Sequence, residues 1–262
     1  MQNAIRSLAI IIISALSFSS VSAQIIDDFV KFNPNLWVAK YEVSNANYKE
    51  FISDFQKKNG REKAVNFKAD STQWAAKLTG VNEPMHDKYH NHPAYNNYPV
   101  LNITKEAAQN YCKWLDEKYK AAKKHKFNKV VFRLPTEAEW MSFSSPLIGN
   151  RLPWYGNYPY LSDEKGNSSE MLTNIKMMDY ASGEYRYIQD GAFYTNIIGS
   201  YQSNAIGLYD IIGNAAEITS DNKIKGGSWD NTLEECYIDL SQNHSLPDPR
   251  VGFRVVMEVI ER

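Results

Sequence analysis

The feature that most constrains the fold is a long middle segment without a regular pattern. Residues 144–203 show neither the 3.6-residue apolar period of a helix nor the alternation of a strand. Loops longer than about 15 residues are uncommon inside a compact domain unless something orders them. We therefore expect a bound ion or long-range packing to hold this segment in place.

The N-terminal residues 1–23 predict a secretory signal peptide. Arg6 precedes an apolar run from Leu8 to Leu16, and the small residues that follow end in an A-x-A-like cleavage site at Ala23. The run is shorter than the roughly 20 apolar residues of a membrane-spanning helix, and no second long apolar run follows it. The sequence predicts an exported protein without a transmembrane segment, located in the periplasm, at the outer membrane or outside the cell.

Charge and cysteine content narrow the functional classes. The chain carries 29 basic and 30 acidic residues, a balance that gives no support for nucleic-acid binding. Its two cysteines, Cys112 and Cys236, are too few for a disulfide framework. The sequence leaves open whether the two are bridged or free.

The periodic segments predict an α+β fold, with helices early and short strands late. Ser44 and Thr104 are expected to cap helices, and Thr136 with Glu139 has the spacing of a capping box. Arg133 is expected to pair with Glu137. The predicted helices cover 45–58, about 104–123 and a segment beginning at Thr136, the predicted strands cover 36–43, 129–134, 207–213, 223–229 and 251–260, and 71–78 is expected to be a short strand or turn.

Six phrases in order carry a family resemblance. They are YEVSNANYKEF (41–51), YPVLNITKEAAQNYCKWL (98–115), RLPTEAEW (133–140), GLYDIIGNAAEIT (207–219), KGGSW (225–229) and GFRVV (252–256). Together they resemble the formylglycine-generating enzymes, also called sulfatase-modifying factors. The resemblance covers about residues 36–258 and implies one domain, set here at 36–262 after a lead-in at 24–35. It implies a relative of the C-type lectin fold with little regular secondary structure.

The irregular regions contain candidate calcium ligands. Calcium takes six to eight oxygens, and Asp210 and Glu217 flank a tight turn that can direct carbonyls inward. The residues alone also allow an alternative, in which these two acids are exposed to water and only cap turns. The resemblance implies a structural calcium site formed by the side chains of Asp210 and Glu217 with the carbonyls of Gly213 and Ala215. It implies a second site at Asn174, Ile175, Asp190 and Ala192.

The resemblance also raises the question of copper. The family's enzymes oxidise a cysteine within a Cys-x-Pro-x-Arg stretch to formylglycine, using copper(I) held by two cysteine thiolates five positions apart. Here Cys236 fills one slot, while its partner slot falls on Ser241 or, in the other register, on Asn231. Copper(I) prefers thiolate sulfur, so we do not expect copper binding. Cys236 is expected to be a small, partly buried side chain, and Cys112 matches a structural cysteine.

The sequence favours a protein that binds rather than catalyses. The main hypothesis is a calcium-stabilised scaffold without oxidase activity that binds a protein partner in the cell envelope. Lipoproteins of the gliding-motility and type IX secretion machinery of Bacteroidetes also resemble this family and lack the copper pair. The alternatives are an active oxidase with a divergent site around Cys236, and a carbohydrate- or peptide-binding module. His86, His90 and His92 are expected to lie in an exposed loop without a metal.

Overall fold

The structure is a computed structural model that describes most of the chain. The described ranges are 25–77, 83–145, 149–162, 168–179, 182–186, 190–243 and 246–262. The predicted signal peptide at 1–23 lies outside them. Within these ranges, no helix has the length and apolar character needed to cross a membrane.

The helices lie mainly in the first half of the chain. Ser44 Oγ accepts a hydrogen bond from Asn47 N, and Thr104 Oγ accepts one from Ala107 N, so both predicted caps are confirmed. The helices are α1 (Asn45–Asn59), α2 (Arg61–Val65), α3 (Gln73–Lys77), α4 (Glu83–Lys88), α5 (Lys105–Ala121) and α6 (Glu137–Ser144), with 3-10 turns at Pro93–Tyr95 and Glu234–Cys236.

The prediction of a strand or turn at 71–78 was wrong, because residues 73–77 form α3. Asp70 organises the start of this helix. Its carboxylate accepts hydrogen bonds from Thr72 N and Oγ1 and from Gln73 Nε2. Trp74, one residue further on, is completely buried and anchors the short helix to the core.

Two four-stranded sheets and two hairpins form the β structure. The strands are β1 (Phe29–Lys31), β2 (Leu36–Ala39), β3 (Lys129–Arg133), β4 (Tyr160–Ser162), β5 (Ser168–Met171), β6 (Met177–Asp179), β7 (Glu184–Arg186), β8 (Ala216–Ile218), β9 (Lys223–Lys225), β10 (Gln242–Asn243), β11 (Val251–Gly252) and β12 (Val256–Glu261). The first sheet is antiparallel with strand order β1-β2-β12-β3, and the second has the order β10-β9-β8-β11, with β11 parallel to β8. The middle segment contains the hairpins β4–β5 and β6–β7.

The C-terminal apolar run, predicted as one strand over 251–260, is divided between the two sheets. Its first part is β11 in the second sheet and its last part is β12 in the first. Arg254 lies at the crossing, where its Nη1 donates to the carbonyls of Ala39 and Lys40 and its Nη2 to that of Tyr209. The guanidinium therefore ties this crossing to the end of β2 and to Tyr209.

The start of α6 joins the two layers from the other side. The predicted capping box is confirmed, because Thr136 and Glu139 bond each other's backbone N–H groups. The predicted pairing of Arg133 with Glu137 was wrong. Arg133 pairs instead with Glu139, the acid of the capping box, with 2.7 Å between Nη2 and Oε1. The Glu137 carboxylate lies 3.6 Å from the ammonium of Lys225.

Candidate functional site

A buried group of charged side chains lies between the two sheets. Arg254 donates to Glu217 Oε1 through Nε at 2.9 Å and through Nη2 at 2.7 Å. The other oxygen of Glu217 accepts from Trp140 Nε1 at 2.7 Å. All three side chains are fully buried, so the charges of Arg254 and Glu217 compensate each other away from water.

Glu42 belongs to the same group, and the sequence did not reveal it. Its carboxylate accepts hydrogen bonds from Asn214 Nδ2, at 3.0 and 3.2 Å, and from Ala215 N at 3.1 Å. Burial and the nearby carboxylates of Asp210 and Glu217 raise the pKa of Glu42 well above its usual value, against the opposing effect of Arg254. An acid inside the predicted strand at 36–43 was the available signal.

Asp210 is the carboxylate with the fewest partners in this group. Its backbone is left-handed, with φ 53°, and its side chain is buried. Oδ2 accepts from Gly199 N at 2.5 Å, whereas Oδ1 is buried and has no hydrogen-bond partner within the described ranges. Burial, with a contribution from Glu217, raises the pKa of Asp210 to about 6.

The composition of this group fits a hard cation. Glu42, Asp210 and Glu217 are buried carboxylates that face one guanidinium, Arg254, so negative charge is in excess. A carboxylate has about four acceptor positions, and the three hydrogen bonds of Glu217 leave about one. Among the described residues, no three His, Cys, Asp or Glu side chains already converge as a metal site. A calcium ion here would therefore need backbone carbonyls as well, such as the expected one of Gly213.

The residues of the second expected calcium site lie together. Asp190 Oδ2 accepts from Ile175 N at 2.8 Å, and Oδ1 accepts from Ala192 N at 3.1 Å. Asn174 Nδ2 donates to Asn214 Oδ1 at 3.2 Å, which links this cluster to the buried charged group. Burial raises the pKa of Asp190 to about 6.

The two cysteines are free and buried, so no disulfide joins them. Cys236 is completely buried beneath the backbone of Gly227, where an added Cβ would collide with Sγ and lie 3.0 Å from the cysteine Cα. Burial raises the pKa of both thiols, with Asp116 adding to the effect at Cys112 and Glu235 at Cys236. Neither thiol is in a position that favours a reactive thiolate.

The two positions that correspond to the second copper ligand, Asn231 and Ser241, are also unsuited to binding copper(I). Asn231 Oδ1 accepts from Ser228 N at 3.0 Å and from Ser228 Oγ at 2.8 Å, so it closes a local turn. Ser241 is exposed at the surface. Because a hydroxyl and an amide replace the second thiolate, and Cys236 is enclosed, these residues do not fit copper(I).

A polar groove runs across the second sheet above Cys236. It has a volume of about 430 Å³, and its lining includes Gly226 and Gly227, the second of which packs against Cys236. Ser241 and Asn231 line it, as does Arg250, which pairs with Asp248 at 2.8 Å and with Asp230 at 3.3 Å. The groove therefore presents hydroxyl, amide and mutually paired charged groups rather than a reactive centre.

The expectation of an exposed loop for the three clustered histidines was wrong, because His86 lies in α4 and His90 is half-buried. His86 Nδ1 lies 2.8 Å from Asp87, and His92 Nδ1 accepts from Ala94 N to cap a 3-10 turn. His90 Nδ1 lies 3.2 Å from Asn45 Oδ1. Their different partners do not define a shared metal position.

The family model described as "Sulfatase-modifying factor enzyme 1-like domain" matches residues 21–259. The chain belongs to this family. It is 33% identical to the formylglycine-generating enzyme of Mus musculus over 126 residues, and 33% identical to that of Bos taurus over 125 residues. These alignments cover 48% and 47% of this chain but 27% of each relative, so the match spans about a quarter of their length.

Solved structures share the fold at low identity. PvdO from Pseudomonas aeruginosa aligns with a TM-score of 0.56 and 19% identity, over 85% of this chain and 80% of PvdO. CarF aligns at 0.53 and 15%, covering 86% of both chains. Treponema denticola variable protein 1 aligns at 0.51 and 17%, over 88% of this chain and 91% of that protein. The predicted α+β fold of this family is confirmed.

Proposed function

We propose that this chain is a member of the sulfatase-modifying-factor family that binds a protein partner and does not oxidise cysteine. Export by the predicted signal peptide would bring it to the cell envelope. Calcium at the buried charged group and at the Asp190 cluster stabilises the domain. The polar groove across the second sheet is the proposed binding surface.

The observation that carries this proposal is the position of Cys236. Copper(I) chemistry of the family's kind needs two accessible thiolates, and this thiol lies under Gly227 with a raised pKa. The slot five residues later is Ser241, whose hydroxyl stays protonated at neutral pH. The groove thus lacks the groups that would perform the reaction.

The role of calcium rests on the excess of buried negative charge. The unpartnered Oδ1 of Asp210 and the raised pKa of Glu42 both indicate carboxylates that lack a compensating cation. A divalent ion would favour the charged forms of these groups. It would also link the turn at 210–217 to Glu42, which follows the end of β2.

The proposal of a protein partner in the cell envelope rests on the predicted signal peptide and on the resemblance to gliding-motility and type IX secretion lipoproteins. Those lipoproteins keep the domain without the copper pair. A scaffold role in machinery of that kind accounts for a retained groove that lacks thiolates.

Copper(I) binding tests the proposal directly. The purified protein is titrated with copper(I) in competition with a chromophoric chelator, beside Cys236→Ser. We expect the chelator to keep the metal, with no difference between the two proteins. Stoichiometric copper binding that is lost in Cys236→Ser would contradict the proposal and favour the alternative of an active oxidase with a divergent site.

A further inference from the structure

A second cavity lies away from the groove, between the first sheet and the helices α1 and α5. Its volume is about 580 Å³, within the range of about 300–1,000 Å³ typical of small-ligand sites. Asp28 and Tyr41 line it from the sheet side, Glu50 from α1, and Trp114 and Lys118 from α5.

The charges around this cavity are unbalanced. Apart from Glu42, which belongs to the buried charged group, its lining contains the carboxylates of Asp28 and Glu50 and one ammonium, that of Lys118. Lys118 is already paired with Glu50 at 2.5 Å. Asp28 makes no side-chain hydrogen bond or ion pair with the described part of the chain, and partial burial raises its pKa although Lys40 acts against this. The lining therefore favours a positively charged occupant.

Aromatic rings supply the other half of a cation site. Tyr41 and Trp114 are partly exposed in the lining, which also includes the buried Tyr111. The ammonium of Lys118 lies 4.7 Å from the centroid of the Trp114 ring, a cation–π distance. This wall of the cavity thus already holds one ammonium between an aromatic face and a carboxylate.

We propose that this cavity binds an organic ammonium ion, with Asp28 compensating the charge and the rings of Tyr41 and Trp114 contacting the cation. Lys118 occupies part of the site as an internal competitor. The ammonium can belong to a free amine or to a lysine side chain of a polypeptide, and both offer the same chemistry to the cavity.

Calorimetric titration with defined probes tests this site and separates the two sources. Choline represents a free amine, N-acetyl-lysine methylamide represents a peptide side chain, and 3,3-dimethylbutan-1-ol is the uncharged isostere of choline. We expect binding of at least one ammonium probe at millimolar concentration and none of the alcohol. The tighter of the two ammonium probes identifies the source.

Variants assign the binding to the cavity. Asp28→Asn should weaken ammonium binding about threefold, the size of an exposed charge contact, and Asp28→Lys should weaken it further. Glu117→Gln and Glu117→Lys are matched controls, because Glu117 is exposed on α5, pairs with Lys58 and does not line the cavity. Lys118→Met should tighten binding by removing the internal competitor.

Three results would overturn the proposal. The first is that choline and its alcohol isostere bind equally well. The second is that neither ammonium probe binds to wild type or to Lys118→Met. The third is that the Asp28 and Glu117 substitutions have equal effects on binding. Circular dichroism and thermal unfolding of each variant show that the fold is intact, which the exposed positions of Asp28 and Glu117 favour.

Discussion

Arg254 donates two hydrogen bonds, at 2.9 and 2.7 Å, to a single oxygen of Glu217, and neither side chain is exposed to solvent. The same guanidinium bonds three backbone carbonyls at the point where the chain passes from the second sheet to the first. This pair therefore connects the two layers of the fold with the buried acids near Asp210.

Removing one partner of this pair should destabilise the protein strongly. Glu217→Gln removes the charge of the acid that Arg254 bonds directly, and breaking a buried ion pair in this way typically costs about 3–5 kcal/mol. Urea unfolding of the variant measures the loss. The exposed pair Arg151–Asp239 is the control, and Asp239→Asn should cost less than about 1 kcal/mol. Equal losses at the two pairs would contradict this account of the buried pair.

Calcium should raise the unfolding temperature, and Asp210 should be needed for the full effect. At a hundred times its Kd, an ion that binds only the folded state adds about 2.7 kcal/mol. For a domain of this size that corresponds to roughly 5–10 °C in Tm. Thermal unfolding with calcium and with a chelator measures the shift.

Asp210→Asn should reduce the calcium shift, whereas Asp239→Asn, at an exposed acid paired with Arg151, should leave it unchanged. If calcium leaves the Tm of the wild type unchanged, the proposal of a stabilising calcium ion is wrong. An equal calcium shift in wild type and Asp210→Asn would place the ion elsewhere.

Gly227 should tolerate no side chain. Its φ of +64° is strained for other residues, and a Cβ would collide with Cys236. Gly183 has a similar φ of +71°, but nothing lies within 4 Å of its added Cβ. Gly183→Ala should therefore show only the backbone strain of about 1–2 kcal/mol, and Gly227→Ala should lose clearly more. Chemical denaturation compares the two, and equal losses would show that Cys236 does not pack under Gly227.

His90 should make stability fall in mild acid. Burial, with Lys49 adding to it and Asp70 opposing it, lowers the pKa of His90 to about 3, and its Nε2 has no hydrogen-bond partner within the described ranges. Between pH 6.5 and pH 3 the unfolded state then binds more protons than the folded state. The stability contribution is complete above pH 6.5 and is lost on acidification by at most about 1.4 kcal/mol per pH unit.

Unfolding free energies from pH 7 to pH 4 measure this effect. His90→Gln should flatten the pH dependence, and His125→Gln, at an exposed histidine, is the matched control. If His90→Gln and wild type lose stability in parallel on acidification, His90 does not titrate as described.

Local signals made the three longest helices, α1, α5 and α6, predictable. The caps at Ser44, Thr104 and Thr136 act within four residues, so the sequence alone reveals them. The strands were harder. Residues 207–213 were predicted as a strand from their apolar content, yet they form an irregular turn because Asp210 and Gly213 are left-handed.

The site was only partly predictable, because its contacts join distant parts of the chain. Family phrases pointed to Asp210 and Glu217, whereas Glu42 escaped notice since its partner Asn214 lies 172 residues away. The role of Arg254 depends on the point where the chain passes from the second sheet to the first. The sequence there reads as one continuous apolar run, so it gives no sign of this crossing. The burial of Cys236 beneath Gly227 likewise follows from tertiary packing rather than from the residues beside it.

The most direct test of the central claim is mass spectrometry of a Cys-x-Pro-x-Arg peptide after incubation with the purified protein, copper and air. An active formylglycine-generating enzyme run in parallel shows that the assay works. Our account predicts that the peptide cysteine stays unchanged with this protein, because Cys236 is buried and its partner slot holds Ser241 or, in the other register, Asn231. Conversion of the cysteine to the aldehyde would contradict it.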